Sequence, residues 1–467
     1  MPKFFDILAF LMGKAAGGGG GGGDITVEST SISANGTYTA PANKAYSPVT
    51  VDVPNSYAAG DEGKVVSNGA LVAQGSDTVD QNGTVDTTLI NSLTVNVSGG
   101  GGGLVSPKQV NFIDYDGTVL YAYSAAEAQA LSALPANPSH SGLTAQGWNW
   151  SLAEIKAQLT AMPDAPVWVG QMYITASGDT EIDVRFADAA RLSPILTIAV
   201  NGTATVDWGD GTAADTVTGS SLTTQQAVPH TYAAIGDYTI KIHVTSGSFA
   251  FYGSSTYTLL RKNTSSNENR VYANCVQAVR LGSAVTSIGG NAFYNCHRLA
   301  SITIPSSVTS IGGSAFYNCY SLASITIPSG VTSIESSTFS SCYGLASIAI
   351  PSSVTSIAGS ALQSCSSLAS ATIPSGVTSI GNYAFSSCPS LASIAIPSSV
   401  TSIGNAAFSG CYGMAEYHIQ PTAVPTGGTT MFASISSDCV IYVPSASLDS
   451  YKTATNWSTY ASYMRGE

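Results

Sequence analysis

Over the last two fifths of the chain, apolar residues recur neither at two nor at 3.6 positions but at twenty-three. Cys296, Cys319, Cys342, Cys365, Cys388 and Cys411 are spaced by 23 residues, and Pro305, Pro328, Pro351, Pro374 and Pro397 keep step with them. Each unit reads C-x-x-L-A-S-I-T-I-P-S-S-V-T-S-I-G-x-x-A-F-x-x. A coil of this length cannot bury its apolar face alone, so the period predicts coils stacked into a solenoid. In the coil after Cys296 the inward set is Leu299, Ile302, Ile304, Val308, Ile311, Ala315 and Phe316, with the intervening Ser and Thr pointing out. The coil starting at Cys275 is two residues short and lacks the Ile-Pro step, and the seventh loses the pattern over 416–425, as terminal caps do.

Upstream the pattern changes three times. Residues 173–255 alternate Val, Ile, Tyr and Thr at period two between turn signals, which predicts a β-sandwich. Residues 104–172 combine a strand, NFIDYDGTVLYAY, with helix-like AAEAQALSAL and SLAEIKAQLTAM, the latter opening on a Ser151/Glu154 capping box. Residues 24–98 hold two related units, each with an Asn-Gly-Thr turn (Asn35 to Thr37, Asn82 to Thr84) and a later Val/Thr strand. Glycine runs at 17–23 and 99–103 read as tether and linker. Ahead of them, Phe4, Leu8, Leu11 and Ala15 share one helical stripe, a docking surface for a partner or a second copy. The predicted fold class is mainly β and multidomain: docking helix and tether (1–23), small β repeats (24–98), linker (99–103), small α/β unit (104–172), sandwich (173–255), capped solenoid (270–455) and tail (456–467).

Composition narrows the partners. Charged residues are 9 % of the 467, against about 25 % in ordinary proteins, and hydroxyls supply the polar surface. A net charge of -12 with 16 Lys and Arg disfavours nucleic acid and anionic membranes, which are bound through clustered cations. The apolar stretch from Phe4 to Met12 is broken by Asp6 and is about half the roughly 20 residues of a membrane span; it ends without a small-residue cleavage site, although a signal peptide stays open. No later stretch is long and apolar enough for membrane insertion.

Three resemblances add to this reading. VDWGDGTAADTVTG followed by HTYAAIGDYTIKIHV resembles the polycystic kidney disease (PKD) type of immunoglobulin-like domain, which implies a spacer or adhesion module. The 23-residue units resemble BspA-type leucine-rich repeats of bacterial surface adhesins and other cell-contact proteins. IYVPSASLDSYKTATNWSTYA looks like that family's closing strand and helix. The FFDILAFLMGKAAGGGG start and the NGTYTAP...KAYSPVTVDVP unit look like tail-fibre or tail-tip proteins of gut phages.

Candidate chemistry is sparse. Asp114 and Asp116 in FIDYDGTVL resemble the first motif of haloacid-dehalogenase phosphatases, but a strand ending in an Asp-Gly turn accounts for them, and no later lysine or acidic pair completes a site. Asp207, Asp210 and Asp215 could gather around calcium, a hard cation that takes about six to eight oxygens, but their spacing does not follow an EF-hand loop and turn formation explains them with fewer assumptions. The cysteines form no C-x-x-C pair; their spacing predicts a ladder of free buried thiols, with disulfides between neighbouring coils as the alternative. The five histidines show no metal or triad spacing, and His230 reads as structural. No catalytic residue, metal or cofactor is expected.

Between otherwise identical coils, the positions that vary are candidates for recognition. Tyr294 and Tyr317 share one repeat position, while His297, Tyr320, Tyr343 and Tyr412 share another, with Arg298 beside them. Stacking would align them into an aromatic ridge of the kind that anchors interfaces or sugars, or into half-buried tyrosines that merely pack over turns. The expectation is a non-catalytic binding protein: a phage tail fibre attached to a virion tail or baseplate through its N-terminus, with the solenoid recognising a host-cell glycan or protein. The alternative is a bacterial surface adhesin. A homotrimer is carried only by analogy with fibres.

Overall fold

The computed structural model describes residues 108–162, 165–251, 259–262 and 272–467, together with the backbone of six strands nearer the N-terminus. The chain divides into two compact units, Met1–Val105 and Ser106–Glu467. In the first, β1 (Thr26–Ile32) pairs in parallel with β3 (Lys44–Val51). Strand β2 (Gly36–Thr39) runs antiparallel to β6 (Ser92–Val95), so a strand of the first sequence unit pairs with a strand of the second. Two short strands, β4 (Val66–Ser67) and β5 (Ala70–Leu71), form a hairpin. The expected docking helix, both glycine runs and the turn at 82–84 lie outside the described residues.

The second unit begins with a mixed layer: β7 (Val110–Ile113), β8 (Val119–Tyr123), α1 (Ala125–Ala130), β9 (Leu143–Trp148), α2 (Leu152–Ala161) and β10 (Val167–Thr175). The sheet order is β8-β7-β10-β9, with β10 parallel to β7 at its start and antiparallel to β9 at its end. Both helices open on reciprocal capping boxes, Ser124 with Glu127 and Ser151 with Glu154. Helix α1 stops short of the predicted LSAL, where Leu131 turns to an extended conformation (ψ 135°).

Next come β11 (Thr180–Phe186), β12 (Ile195–Asp207), β13 (Asp215–Ser220), β14 (Gln226–Pro229), β15 (Gly236–Phe251) and β16 (Leu260–Arg261). The long β12 and β15 change partners along their length: β12 pairs with β14 and then β13, and β15 with β11 and then β12. Trp208 is fully buried, with His230 stacked on it at 4.5 Å, as the structural reading of that histidine requires.

This all-β region passes into the solenoid without a break in hydrogen bonding. Strand β17 (Val276–Arg280), in the shortened first coil, pairs with β11, and β18 (Val285–Ile288) pairs in parallel with the end of β15. Arg280 fixes the junction: two of its guanidinium nitrogens donate to Asp183 at 2.7 and 2.8 Å, and Nε donates to Glu181 at 3.0 Å. One hydrophobic core runs from Ile182 to Met464.

Within the solenoid, equivalent residues pair in parallel register 23 apart, Ser287 with Ser310 and Ser333 with Ser356. Every residue of the predicted inward set from Leu299 to Phe316 is buried. All eight cysteines are buried, and none is in a disulfide. Several donate Sγ–H to the carbonyl 26 residues earlier, Cys319 to Phe293 (3.3 Å) and Cys342 to Phe316 (3.1 Å), which gives the thiol ladder a polar partner in a dry core. The irregular seventh coil stays in the stack: Glu416–Ile419 pairs in parallel with both neighbours and buries Tyr417 and Ile419. After α3 (Leu448–Thr453), Trp457 and Tyr460 cover the last coil, and Met464–Gly466 adds a final parallel strand beside Val440–Val443. Among the described residues no helix is long and apolar enough to cross a membrane.

The repeat pattern does not anticipate where the mixed layer sits. It lies against the strand-proline segments of successive coils. Asn149 Nδ2 donates to the carbonyls of Ile327 (2.9 Å) and Ala349 (3.0 Å), Trp150 Nε1 to Ile350 (2.9 Å), and Trp168 Nε1 to the Ser370 hydroxyl (2.8 Å). Gln158 bridges the carbonyl of Ile373 and the N–H of Ser375. Gly170 is required here, since a Cβ on it would overlap the Thr326 side chain. Hence Ser324, Thr326, Ser347 and Thr372, expected to point outward, are buried. Ala349 and Ala395, which replace threonine at one repeat position, pack against Ile113 and Trp168 and against Met162 and Ala165 respectively.

Candidate functional site

The candidate ridge stands on the turn that closes each coil. Two residues per turn adopt left-handed backbone, Asn291 and Asn295 (φ 58° and 60°), then Ser314 and Asn318 (56° and 61°), and the series continues through Ser337 and Ser341. Asn tolerates that region better than most side chains. Asn318 Nδ2 also donates to Asn295 Oδ1 at 2.8 Å, tying one turn to the next. With the turns locked, equivalent side chains lie one above another.

Two aromatic columns result. Tyr294 and Tyr317 stack at 4.9 Å with planes 7° apart. His297 and Tyr320 stack at 4.2 Å, and Tyr320 and Tyr343 at 4.8 Å. Tyr294, Tyr317, His297 and Tyr320 are half-buried, Arg298 is exposed, and Tyr343 is 45 % exposed. The structure therefore brings six of the seven expected residues together on neighbouring turns. Tyr412 stands apart, 67 % exposed and three coils beyond Tyr343, with Ser366 and Pro389 at the intervening positions. Tyr383, 46 % exposed, was not among the candidates; it occupies a left-handed turn position (φ 58°) elsewhere held by Asn, Ser, Ala or Thr.

Other candidate groups have local employment. Asp114 accepts from Tyr173 Oη at 2.7 Å and contacts His140 Nε2 at 2.6 Å, while Asp116 accepts from the N–H of Thr118 in its own turn. Burial and the neighbouring Asp114 carboxylate push the Tyr173 hydroxyl well above its usual pKa. Asp207 accepts from Gly209 N–H, Asp215 from Trp208 Nε1, and Asp210 from Thr212 while contacting His230. Burial alone would raise the Asp210 carboxyl, but the hydrogen bonds from Thr212 and His230 together hold it below the usual carboxylate range. An open concavity of about 730 Å³ beside that turn is lined by Glu181, Asp207, Asp237, Lys241 and Arg280. Several of its charges pair within it or at its edge: Arg280 with Glu181, Lys241 with Glu181 (3.7 Å) and Asp237 with Arg185 (2.6 Å).

Comparison with known proteins matches the coils. The BspA type leucine rich repeat region matches in six copies, over residues 243–369 and 357–454. This match starts beyond the W-G-D-G turn and does not reach the N-terminal third, so it bears on neither the PKD-type nor the tail-fibre resemblance. Among solved structures, a leucine-rich repeat protein from Bacteroides ovatus is 26 % identical over 36 % of this chain and 56 % of its own, with a TM-score of 0.29. The leucine rich repeat protein of T. pallidum is 25 % identical over 40 % of this chain and 69 % of its own (TM-score 0.26). A leucine rich cell surface protein from Faecalibacterium prausnitzii is 24 % identical over 44 % and 78 % (TM-score 0.21). The chain thus spans little more than half the length of the first of these. No curated protein matches. With its 23-residue period, stacked parallel strands and matching family model, the C-terminal region of this chain is a leucine-rich-repeat solenoid of BspA type.

Proposed function

We propose that the chain is a non-catalytic adhesion protein acting at a bacterial cell surface, with the turn flank of its solenoid as the recognition surface. The observation that carries this reading is the division of labour between two faces of the coils. The strand-proline face is filled from within the chain, by Asn149, Trp150, Gln158 and Trp168. The turn flank carries the two aromatic columns and exposes Tyr343 and Tyr412. Rigid aromatic side chains give large contact area at small entropic cost, which suits them to anchoring a partner. The BspA-type match favours the bacterial-surface reading over the tail fibre, whose carrying residues lie largely outside those described.

The test uses the full chain, because the all-β region and the solenoid share one core. Labelled protein is applied to bacterial cells and to host epithelial surfaces, beside the variant Tyr317→Ser, Tyr320→Ser, Tyr343→Ser. The expected result is adhesion by the parent and at least tenfold weaker adhesion by the variant, with unchanged circular dichroism. Equal adhesion by both removes the columns from the mechanism. Immunogold labelling of the producing culture separates locations: label on envelopes agrees with the proposal, and label on virion tails alone overturns it in favour of the fibre. Phosphatase or polysaccharide-cleaving activity of the pure protein would overturn the non-catalytic reading.

A further inference from the structure

The second aromatic column is interrupted, and the interruption leaves aromatic faces without an aromatic neighbour. The column position is occupied by His297, Tyr320 and Tyr343 in successive coils, by Ser366 and Pro389 in the next two, and by Tyr412 in the one after. Within the occupied run each ring is covered by its neighbour, at 4.2 and 4.8 Å. Tyr343 is covered by Tyr320 on one side, and its other side looks toward Ser366, a side chain too short to reach across. This accounts for its 45 % exposure. Tyr412 is flanked by Pro389 and is 67 % exposed. Three coil steps separate the two tyrosines, about 14 Å at the strand spacing of about 4.8 Å, and the two column positions between them hold no aromatic ring.

The floor of the vacancy narrows the occupant. Residues 364–367 and 386–390 are all Ser, Cys or Pro, and both cysteines are buried, so the accessible groups are hydroxyls and a proline ring. The floor is held in place across coils: Ser366 Oγ donates to the Tyr343 carbonyl at 3.3 Å, and Ser390 Oγ donates to the Ser366 carbonyl at 2.6 Å. No residue of either floor segment carries a charge to pair with an acidic or basic ligand. Open aromatic faces, negative at their centres, attract the polarised C–H faces of sugar rings, and hydroxyls exchange hydrogen bonds with sugar hydroxyls.

We infer that Tyr343 and Tyr412 bound a subsite for an uncharged glycan, with sugar rings stacked on the two tyrosines and ring hydroxyls meeting Ser366, Ser367 and Ser390. This rests on the adhesion reading and deepens it by naming the ligand class. It also places binding within the column: rings inside the stack cover one another, and open faces fall where the stack stops.

The experiment titrates the full chain with an array of uncharged hexose and pentose oligosaccharides, with sialylated and sulfated glycans alongside, and measures any hit in solution by calorimetry. Tyr343→Ala and Tyr412→Ala are each expected to weaken binding at least tenfold. The deciding variant is Ser366→Tyr with Pro389→Tyr, which fills the slot. Tyrosine already occupies this position in three other coils, so the backbone accommodates it, and melting should be unchanged or raised while glycan binding is lost. Undiminished glycan binding by the filled variant overturns the subsite. So does binding confined to charged glycans. Adhesion to cells with no uncharged oligosaccharide bound overturns the subsite and leaves the adhesion reading standing; absence of both overturns the two together.

Discussion

Asn149 is the most economical place to test whether the mixed layer is a fixed part of the solenoid. Its side chain is 1 % exposed and makes three hydrogen bonds: Nδ2 to the Ile327 and Ala349 carbonyls, and Oδ1 from the Gly170 N–H at 2.8 Å. Replacing it with Ala deletes all three, but the consequences differ. Ala349 keeps a donor, because the Ile327 N–H also reaches its carbonyl at 3.0 Å. Gly170 N–H loses the acceptor that Asn149 provides, and stranding a buried donor costs about 1–3 kcal/mol. Adding about 1 kcal/mol for each of the two carbonyl bonds gives a loss of roughly 3 to 5 kcal/mol. That exceeds a hundredfold change in an opening equilibrium, at 1.4 kcal/mol per factor of ten. Hydrogen exchange followed by mass spectrometry reads it directly: protection of β10 and of the strands near Ile325 and Ile348 should fall by about two to three orders of magnitude, while coils beyond residue 400 keep theirs. Protection unchanged within a factor of three would refute the claim that this side chain anchors the layer to the coils.

Phe339 is fully buried and stacks on Phe316 at 5.5 Å; its replacement by Ala should cost about 3–5 kcal/mol in urea unfolding, and by Leu about 1 kcal/mol, since Leu362 already holds the position in the next coil. Equal costs would mean that the column is loosely packed. Burial pushes the Cys342 thiol up to about 12 and Cys411 to about 11. Unfolded thiols ionise near pH 8.5, so the unfolded chain sheds protons first, and stability should hold below about pH 8 and decline up to about pH 11. A urea midpoint flat across that window would contradict the burial. For the same reason, iodoacetamide at about pH 8 should leave all eight cysteines unmodified until denaturant is added. A fragment of residues 270–467 should melt well below the full chain or aggregate, because it exposes the edge of β17 that β11 covers and strands Arg280 without Asp183 and Glu181; a fragment as stable as the parent would show that the first coil caps itself.

Much of the candidate site was legible from the repeat alone. Strict periodicity converts sequence offsets into stacked neighbours, so the repeat offset alone pairs Tyr294 with Tyr317, and His297 with Tyr320 and Tyr343. The same logic marked the cysteines as a ladder and the Leu, Ile, Val and Phe positions as core. Tyr412 shows the limit of that reading: sharing a repeat position does not make residues neighbours when short side chains intervene. The buried Ser324, Thr326 and Thr372 show a second limit. Hydroxyls in a repeat look solvent-facing by pattern, and their only outward hint of burial is the alternation with Ala349 and Ala395 at one position.

What the amino-acid order determined by itself is everything that depends on spacing: the coil, its inward face, the left-handed turns filled by Asn and Ser, and the helix starts at Ser124 and Ser151. These are local, or repeat every 23 residues, and each is specified by a few neighbouring side chains. Only the tertiary structure decided which face of the solenoid remains open. That choice depends on hydrogen bonds between residues some 200 positions apart, such as Asn149 with Ala349 and Trp150 with Ile350, whose partners are backbone carbonyls and therefore leave no signature in the identity of the residues they join.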